Sequence, residues 1–442
     1  MISPKSDPSL SRRLTDAEVQ YVFAHLAAFV ETDARIDELI VWPRSEGGLR
    51  TDYQIDGIPV LFPDAEASAS PFELDADGNV VVRHDLVKSA FFLLSAYQEW
   101  ATDERDEWGR YPYEASIQCK LGVMHRPIVN YYFSWMLDAI ETQCRAKGIS
   151  FEKKQPLGGP SLHLSHDLDT LRYFAPRRSL YRCAQVLGLR PCDTDRRRLA
   201  KAAVKSLANL ARLRHDHNPY WSFDVIQDNE AFLGYKSDWF VLPNDGGPFP
   251  PDYDFARDED VLSLLRQLSE RGNKVGLHAP INCKTTEDYI KWSKALRDVL
   301  PNLSDGCRQH FLAIDICSSY KAMDDAGIKF DYSYGFSHHE GFRNSYCFPF
   351  NPFDHDRQQM MGITCVPLAF MDVTCLSHRK MSYDDIFLAV GEMLDEVRRF
   401  GGVFSHLWHN STFDEVYHPG VNQFYQDLHL FFSQYQLRQF EV

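Results

Sequence analysis

Between residues 161 and 408 the chain alternates two hydrophobic patterns. Short, nearly continuous apolar runs give way to longer stretches in which apolar residues return every three or four positions. Runs of the first kind suit strands buried on both faces, and stretches of the second kind suit helices with one buried face. The runs predict strands over 161–166, 236–242, 274–279, 309–314, 328–333, 363–369 and 402–408. Between them, "DEDVLSLLRQLSERG" opens with acids and closes at Gly272, and "TTEDYIKWSKALRDVL" opens with Thr285 and Asp288 at capping-box spacing. Seven β/α alternations predict a (β/α) barrel, with a doubly wound open sheet as the alternative. In either architecture functional groups gather at the carboxyl ends of the strands.

The first 155 residues read differently. They hold one long helical stretch, "TDAEVQYVFAHLAAFVE", short strand-like pieces such as "GIPVLF", and a second helical run, "DLVKSAFFLLSAYQEW". The polar, Gly/Pro-rich connector "EKKQPLGGPS" separates them from the alternating region. The expected organisation is an N-terminal α+β accessory domain over 1–155 and a barrel over 156–442. At 442 residues the chain exceeds what one core usually supports.

Composition narrows the function classes. A net charge of −15 argues against a nucleic-acid binder. One segment departs from it: residues 177–214 hold 11 Lys/Arg against two Asp, a local charge of +9. Leu199, Ala203, Leu207, Leu210 and Leu213 recur there at helical spacing, so a basic helical insertion is expected at about 177–216. A solvated face packed on the barrel is the preferred reading, and a peripheral contact with anionic lipid headgroups or a lipid-linked substrate is the sharper one. No apolar run approaches the roughly 20 residues that span a bilayer. The first twenty residues lack the features of a secretory signal, so the expected location is cytoplasmic. The ten cysteines never occur as Cys-x-x-Cys and are read as reduced packing residues.

The stretch "SLHLSHDLDT" ends an apolar run on His166, Asp167 and Asp169. Ionisable groups recur at the same predicted rim: His278 ends the third strand, Arg308 and His310 border the fourth, Asp331 lies near the end of the fifth, and Asp372 and His409 follow the sixth and seventh. Aspartate and histidine from separate strands suit zinc or another divalent metal with an open position. A free carboxylate beside such an ion can take a proton from water, and an imidazole opposite can protonate a leaving nitrogen, which is a constellation for amide or ester hydrolysis. There is no Walker loop, no G-x-G-x-x-G after a strand, no H-E-x-x-H and no G-x-S-x-G, so nucleotide-driven and serine-hydrolase chemistries are disfavoured.

In order and spacing, "SHDLD", "KVGLHAPIN", "CRQHFLAID", "GIKFDYSYGFSHHEGFRNSYCFPFNPFD", "VPLAFMDVT" and "LWHNSTFDE" resemble the polysaccharide deacetylase family, the chitooligosaccharide deacetylase homology domain of carbohydrate esterase family 4. The resemblance is closest to its long bacterial branch, and "LLSAYQEWATDERDEWGRYPYEAS" with "RPIVNYY" resembles that branch's extra N-terminal domain. It implies a distorted (β/α) barrel of about seven strands and metal-dependent removal of acetyl groups from sugars. Carried over by motif, Asp167 resembles the general base, Asp169 and His278 metal ligands, Arg308 the arginine that orients the base, and His409 the general acid, with Asp331 or Asp372 orienting it. His166 and His310 take supporting or structural places.

One position departs from the family pattern. Four residues after His278, where many members carry a second metal histidine, this chain has Asn282, a weaker ligand. Tyr332, Phe336, Arg343 and Trp408 are candidate substrate contacts, and the other rim-loop aromatics Trp221, Phe342, Tyr346, Phe348 and Phe350 serve either sugar stacking or packing. The leading expectation is a cytoplasmic deacetylase of an N-acetylated sugar or glycan precursor, using zinc first and cobalt or nickel otherwise, in envelope or exopolysaccharide synthesis. The rivals are a deformylase or other non-peptide amidase on the same scaffold, and a metal-free sugar-binding or scaffold protein.

Overall fold

The computed structural model describes residues 7–64, 66, 69–213 and 216–441. Its centre is a parallel sheet of β1 (Ser161–Leu168), β2 (Ser237–Val241), β3 (Lys274–Ala279), β4 (Gly306–Gln309), β5 (Phe330–Asp331), β6 (Thr364–Cys365), β7 (Phe370–Met371), β8 (Val403–Leu407) and β9 (Arg438–Gln439). The order across it is β6-β5-β4-β3-β2-β1-β8-β7, with β9 also on β1.

The two outer strands of that order belong to one stretch of chain. Thr364 and Cys365 pair with β5, Val366 N donates to Asp331 O and Leu368 N to Tyr334 O; Ala369 N then donates to Ser405 O, and Phe370 and Met371 pair with β8. The sheet is therefore curled, as in a distorted (β/α) barrel, and the flat doubly wound alternative does not describe it.

The period of two along β1 decides what the sheet encloses. His163, Ser165 and Asp167 face inward, where His163 stacks on Tyr332 and Ser165 meets Arg308. His166 faces out and stacks on Trp239. Phe240, Tyr332, Val366, Val403 and Phe440 plug the amino end of the interior, which leaves the carboxyl end for polar groups. Gly276 lies on β3 where an added Cβ would meet Gly306 O at 2.7 Å, so only glycine lets these two strands approach.

Helices cover the outside: α1 (Asp16–Leu26), α2 (Leu86–Leu94) and α3 (Ile128–Lys147) come from the first 155 residues, followed by α4 (Pro176–Val186), α5 (Arg196–Leu210), α6 (Phe223–Leu233), α7 (Glu259–Glu270), α8 (Thr286–Arg297), α9 (Ser319–Asp325), α10 (Tyr383–Phe400) and α11 (Val421–Ser433). The capping box of Thr285 and Asp288 forms at the start of α8, and Gly272, with φ +86°, follows α7. Val261, Leu264, Leu265 and Leu268 form the buried stripe of α7; burying each such side chain is worth about 1.5–3 kcal/mol. The apolar core is continuous from α1–α3 into the barrel helices.

One predicted strand is misplaced. The expectation of a strand over 309–314 fails because β4 ends at Gln309, and Phe311 and Leu312 then adopt left-handed backbone with φ of 60° and 52°. Leu312, Ala313 and Ile314 are buried, but they line a turn.

Candidate active site

The carboxyl ends of β1, β3, β4 and β8 bring Asp167, Asp169, His278, His310 and His409 together. His278 Nε2 lies 3.1 Å from Asp169 Oδ1 and 3.6 Å from Asp167 Oδ2. His310 Nε2 is 3.7 Å from Asp169 Oδ1, and His409 Nε2 is 3.6 Å from Asp169 Oδ2. Ligand-type atoms of Asp169, His278 and His310 all fall within 4.8 Å of one another.

Ring tautomers follow from the outer hydrogen bonds. His278 Nδ1 meets the carbonyl of Arg308 at 2.9 Å, and a carbonyl only accepts, so Nδ1 carries a proton and Nε2 is the nitrogen that faces the carboxylates; burial opposes charge on this ring, but Asp167 and Asp169 raise its pKa. His409 Nδ1 likewise donates to Asp372 Oδ1 at 2.7 Å. Asp372 is fixed in turn by the backbone N–H groups of Val373 and His409 and by the Thr412 hydroxyl. Burial opposes charge on His409, but Asp372, Asp169 and Asp167 raise its pKa to about 10. Burial also opposes charge on Asp169, yet the three surrounding imidazoles hold its carboxyl well below the usual range. Burial pushes His310 down to about 4.

Asp167 is buried and held by one partner. Arg308 Nη1 donates to Asp167 Oδ1 at 3.2 Å, while its Nη2 donates to Ser165 Oγ and its Nε to Tyr332 O. The guanidinium also sits over the Phe240 ring, 4.7 Å from its centre. Three anchors on a planar fork leave Asp167 Oδ2 aimed at the shared space.

The structure separates the other sequence candidates from this centre. Asn282 is exposed and donates to Asp245 Oδ2, so it is not a member of the cradle. His310, from the neighbouring strand, stands in the cradle instead of taking a supporting place. The register pairs Arg308 with His278, and two residues further along the β4 chain the imidazole arrives beside Asp169. Asp331 is buried below the site, accepts hydrogen bonds from Ser333 and Tyr320, and does not touch His409; the orienting acid is Asp372. Tyr332 belongs to the amino-end plug. Trp408 is fully buried between His406 and Tyr425. Arg343 is sealed in a bidentate pair with Glu99 at 2.9 and 2.6 Å, and Phe336 packs on that guanidinium. His166 is structural, bridging Glu230 and Trp408 O. Three of the rim-loop aromatics pack on the first 155 residues, Phe336 on Tyr113, Tyr346 on Phe133 and Phe348 on Phe29.

A cleft of about 530 Å³ opens over Asp169 and His310, with Tyr220, Phe249 and Phe311 among its walls. Trp108, which the sequence reading passed over, stacks on Phe311 at 5.1 Å, and Phe311 stacks on His310 at 4.3 Å. Arg110 Nη1 donates to Phe311 O at 2.8 Å. Thus the first 155 residues brace the left-handed turn that carries His310. A larger cavity, about 960 Å³, lies elsewhere, beside His125, His339 and Glu392. Its two histidines are tied to Glu392 and Glu340, and the convergence of carboxylates and imidazoles from several strands marks the smaller cleft as the candidate site.

The cradle fits a divalent cation on its own chemistry. Asp169 Oδ1 is buried with no donor aligned on it, and the three-residue donor set of one carboxylate and two imidazoles suits zinc and similar ions.

A family model described as a family of unknown function (DUF7033) matches residues 45–145. No match to a curated protein is found. Among solved structures, the "crystal structure of putative polysaccharide deacetylase from Mycobacterium smegmatis" aligns with 65% of this chain and 96% of its own at 11% identity and a TM-score of 0.38. So distant a likeness leaves the assignment of the site to its own geometry.

Proposed function

We propose that the protein is a metal-dependent carbohydrate deacetylase that hydrolyses the acetamide of an N-acetylated sugar or glycan precursor. The observation that carries the reading is the placement of Asp167, with one oxygen tied to Arg308 and the other turned to the shared space, 4.0 Å from His409 Nε2 and beside the Asp169–His278–His310 cradle. The ordered motif resemblance read from the sequence supports the same class.

A divalent ion, zinc first, held by Asp169, His278 and His310 would supply Lewis acidity for the substrate carbonyl and lower the pKa of water. Asp167 accepts the proton of the attacking water through Oδ2, because Arg308 fixes Oδ1 and keeps the carboxylate oriented. His409, oriented by Asp372, delivers a proton to the leaving nitrogen from the other side. Phe249, exposed at the wall of the cleft, provides a ring on which a sugar can stack. The first 155 residues act as an accessory unit that braces the His310 turn through Trp108 and Arg110.

The test is acetate release from N-acetylated sugars and glycan precursors by the metal-loaded protein. Asp167→Asn should reduce turnover by at least about 10²-fold with unchanged metal content and thermal unfolding. Parent-like turnover in that variant, or release of formate or ammonia in place of acetate, would remove the assignment.

A further inference from the structure

Helices α4 and α5 pack against each other and are pinned by one buried guanidinium. Arg182 donates to Tyr173 O and Ser206 Oγ, lies 3.7 Å from Asp414 and sits 3.6 Å above the Tyr173 ring. Inward, α5 buries Leu199, Ala202 and Ala203. The stripe expected from the sequence therefore divides: Leu199 and Ala203 are packed inward, whereas Leu207, Leu210 and Leu213 stay exposed. Among the described residues, eight of the 17 exposed large apolar side chains fall within 180–213. Leu187 is 73% exposed, Leu189 74% and Val204 68%. Scattered exposed apolar residues are ordinary, but this concentration marks a surface that something covers.

Its charge says what kind of surface that is. Exposed Arg190, Arg196, Arg197, Lys201 and Arg212 interleave with the apolar side chains. The segment's two acids are engaged elsewhere, Asp193 with Lys380 and Asp195 as the cap of α5. A symmetric contact between two copies would set +9 against +9. A bilayer with anionic headgroups satisfies both halves of the pattern, taking the cations at the headgroups and the leucines at the acyl boundary. Arg177, Arg178 and Tyr181, also from α4, line the cleft that holds Asp169 and His310.

We propose that the α4–α5 pair docks the protein on an anionic lipid surface, with the mouth of the cleft held beside the headgroups. Among the described residues no helix is long and apolar enough to cross a membrane, so this is a reversible peripheral contact. It stands independently of the reaction proposed above.

The experiment is co-sedimentation of the full chain with vesicles of phosphatidylcholine alone and of phosphatidylcholine containing about one-third phosphatidylglycerol. Binding to the anionic vesicles should be tighter by about tenfold or more and should fall steeply with added salt. Two triple variants, Arg196→Gln/Arg197→Gln/Lys201→Gln and Leu187→Ser/Leu189→Ser/Val204→Ser, should each weaken that binding by about tenfold while far-ultraviolet circular dichroism is unchanged. Equal binding to both vesicle types overturns the proposal, as does parent-like binding by both variants. Self-association without vesicle binding, abolished by the leucine changes, would assign the surface to a second copy and also overturn it. Should a variant unfold, the parent's dependence on lipid composition and salt decides alone.

Discussion

Among the described residues, two clusters bring three ligand-type side chains within 4.8 Å: Asp169, His278 and His310 at the barrel mouth, and His125, His339 and Glu340 at the edge of the larger cavity. They differ in what else touches them. Glu340 is ion-paired with Arg379 and accepts from His125 Nε2 at 3.0 Å, while His125 Nδ1 is taken by Glu392 at 2.7 Å. His339 Nδ1 is spent on the Glu340 carbonyl. Every charge in that cluster already has a protein partner. Among the described residues, Asp169 is paired with imidazoles and with no arginine or lysine, and one of its oxygens lacks any aligned donor. Proximity of carboxylate and imidazole is therefore a weak criterion for an ion site, and a buried carboxylate oxygen with no donor aligned on it is the stronger one.

The largest expected effect separates the two clusters directly. Protein purified and equilibrated with zinc should hold about one ion per chain, measured by elemental analysis after desalting. Asp169→Ala and His278→Ala should each lower affinity by more than the roughly 10–100-fold that loss of a supporting hydrogen bond costs. Glu340→Gln should leave metal content unchanged. Loss of the ion from Glu340→Gln with retention in Asp169→Ala would reverse the assignment.

The second effect is on stability, and it belongs to the cluster proposed to bind no metal. Burial works against the Glu340 charge, but His125 and Arg379 hold its pKa at about 2, below the ordinary 4.5. A carboxyl with a lower pKa in the folded state contributes stability above its unfolded value, and that contribution is lost as pH falls from about 4.5 toward 2. The shift corresponds to about 3 kcal/mol. Urea unfolding of the parent and of Glu340→Gln should therefore differ most near neutral pH and converge toward pH 2. A difference that is flat across that range would mean the pairing does not stabilise the fold.

The same contrast explains what the sequence could disclose. Strands such as Lys274–Ala279 and Val403–Leu407 were legible because both faces are buried and their apolar runs are unbroken. Asp167, Asp169, His278 and His409 stand at strand ends, where a rule about barrels locates them without coordinates. The family resemblance put Asn282 at the position of a second metal histidine, whereas the cradle draws His310 from the adjacent strand. That choice depends on the register of β3 against β4 and on the left-handed turn at Phe311 and Leu312. Register and turn handedness are set by pairing partners, and no local apolar count records them. Arg343 and Trp408 misled for a related reason: aromatic and cationic side chains look alike in sequence whether they meet solvent or are sealed against Glu99 and Tyr425.

That turn supplies the finest test. Left-handed backbone at two successive non-glycine residues costs of order 1–3 kcal/mol each and persists only where neighbours hold it. Here the neighbours come from the first 155 residues: Arg110 donates to Phe311 O and is itself tied to Asp106 at 2.7 Å, and Trp108 covers the Phe311 ring. Arg110 is nearly buried and touches none of Asp169, His278 or His310, so its removal leaves the donor set intact and relaxes only the backbone that aims His310. Arg110→Ala should weaken zinc affinity by about tenfold, the lower end for a supporting contact, while Glu340→Gln does not move it. If Arg110→Ala binds zinc as the parent does, His310 reaches the cradle without help from the N-terminal segment. The difference between the two clusters would then rest on Asp169 and His278 alone.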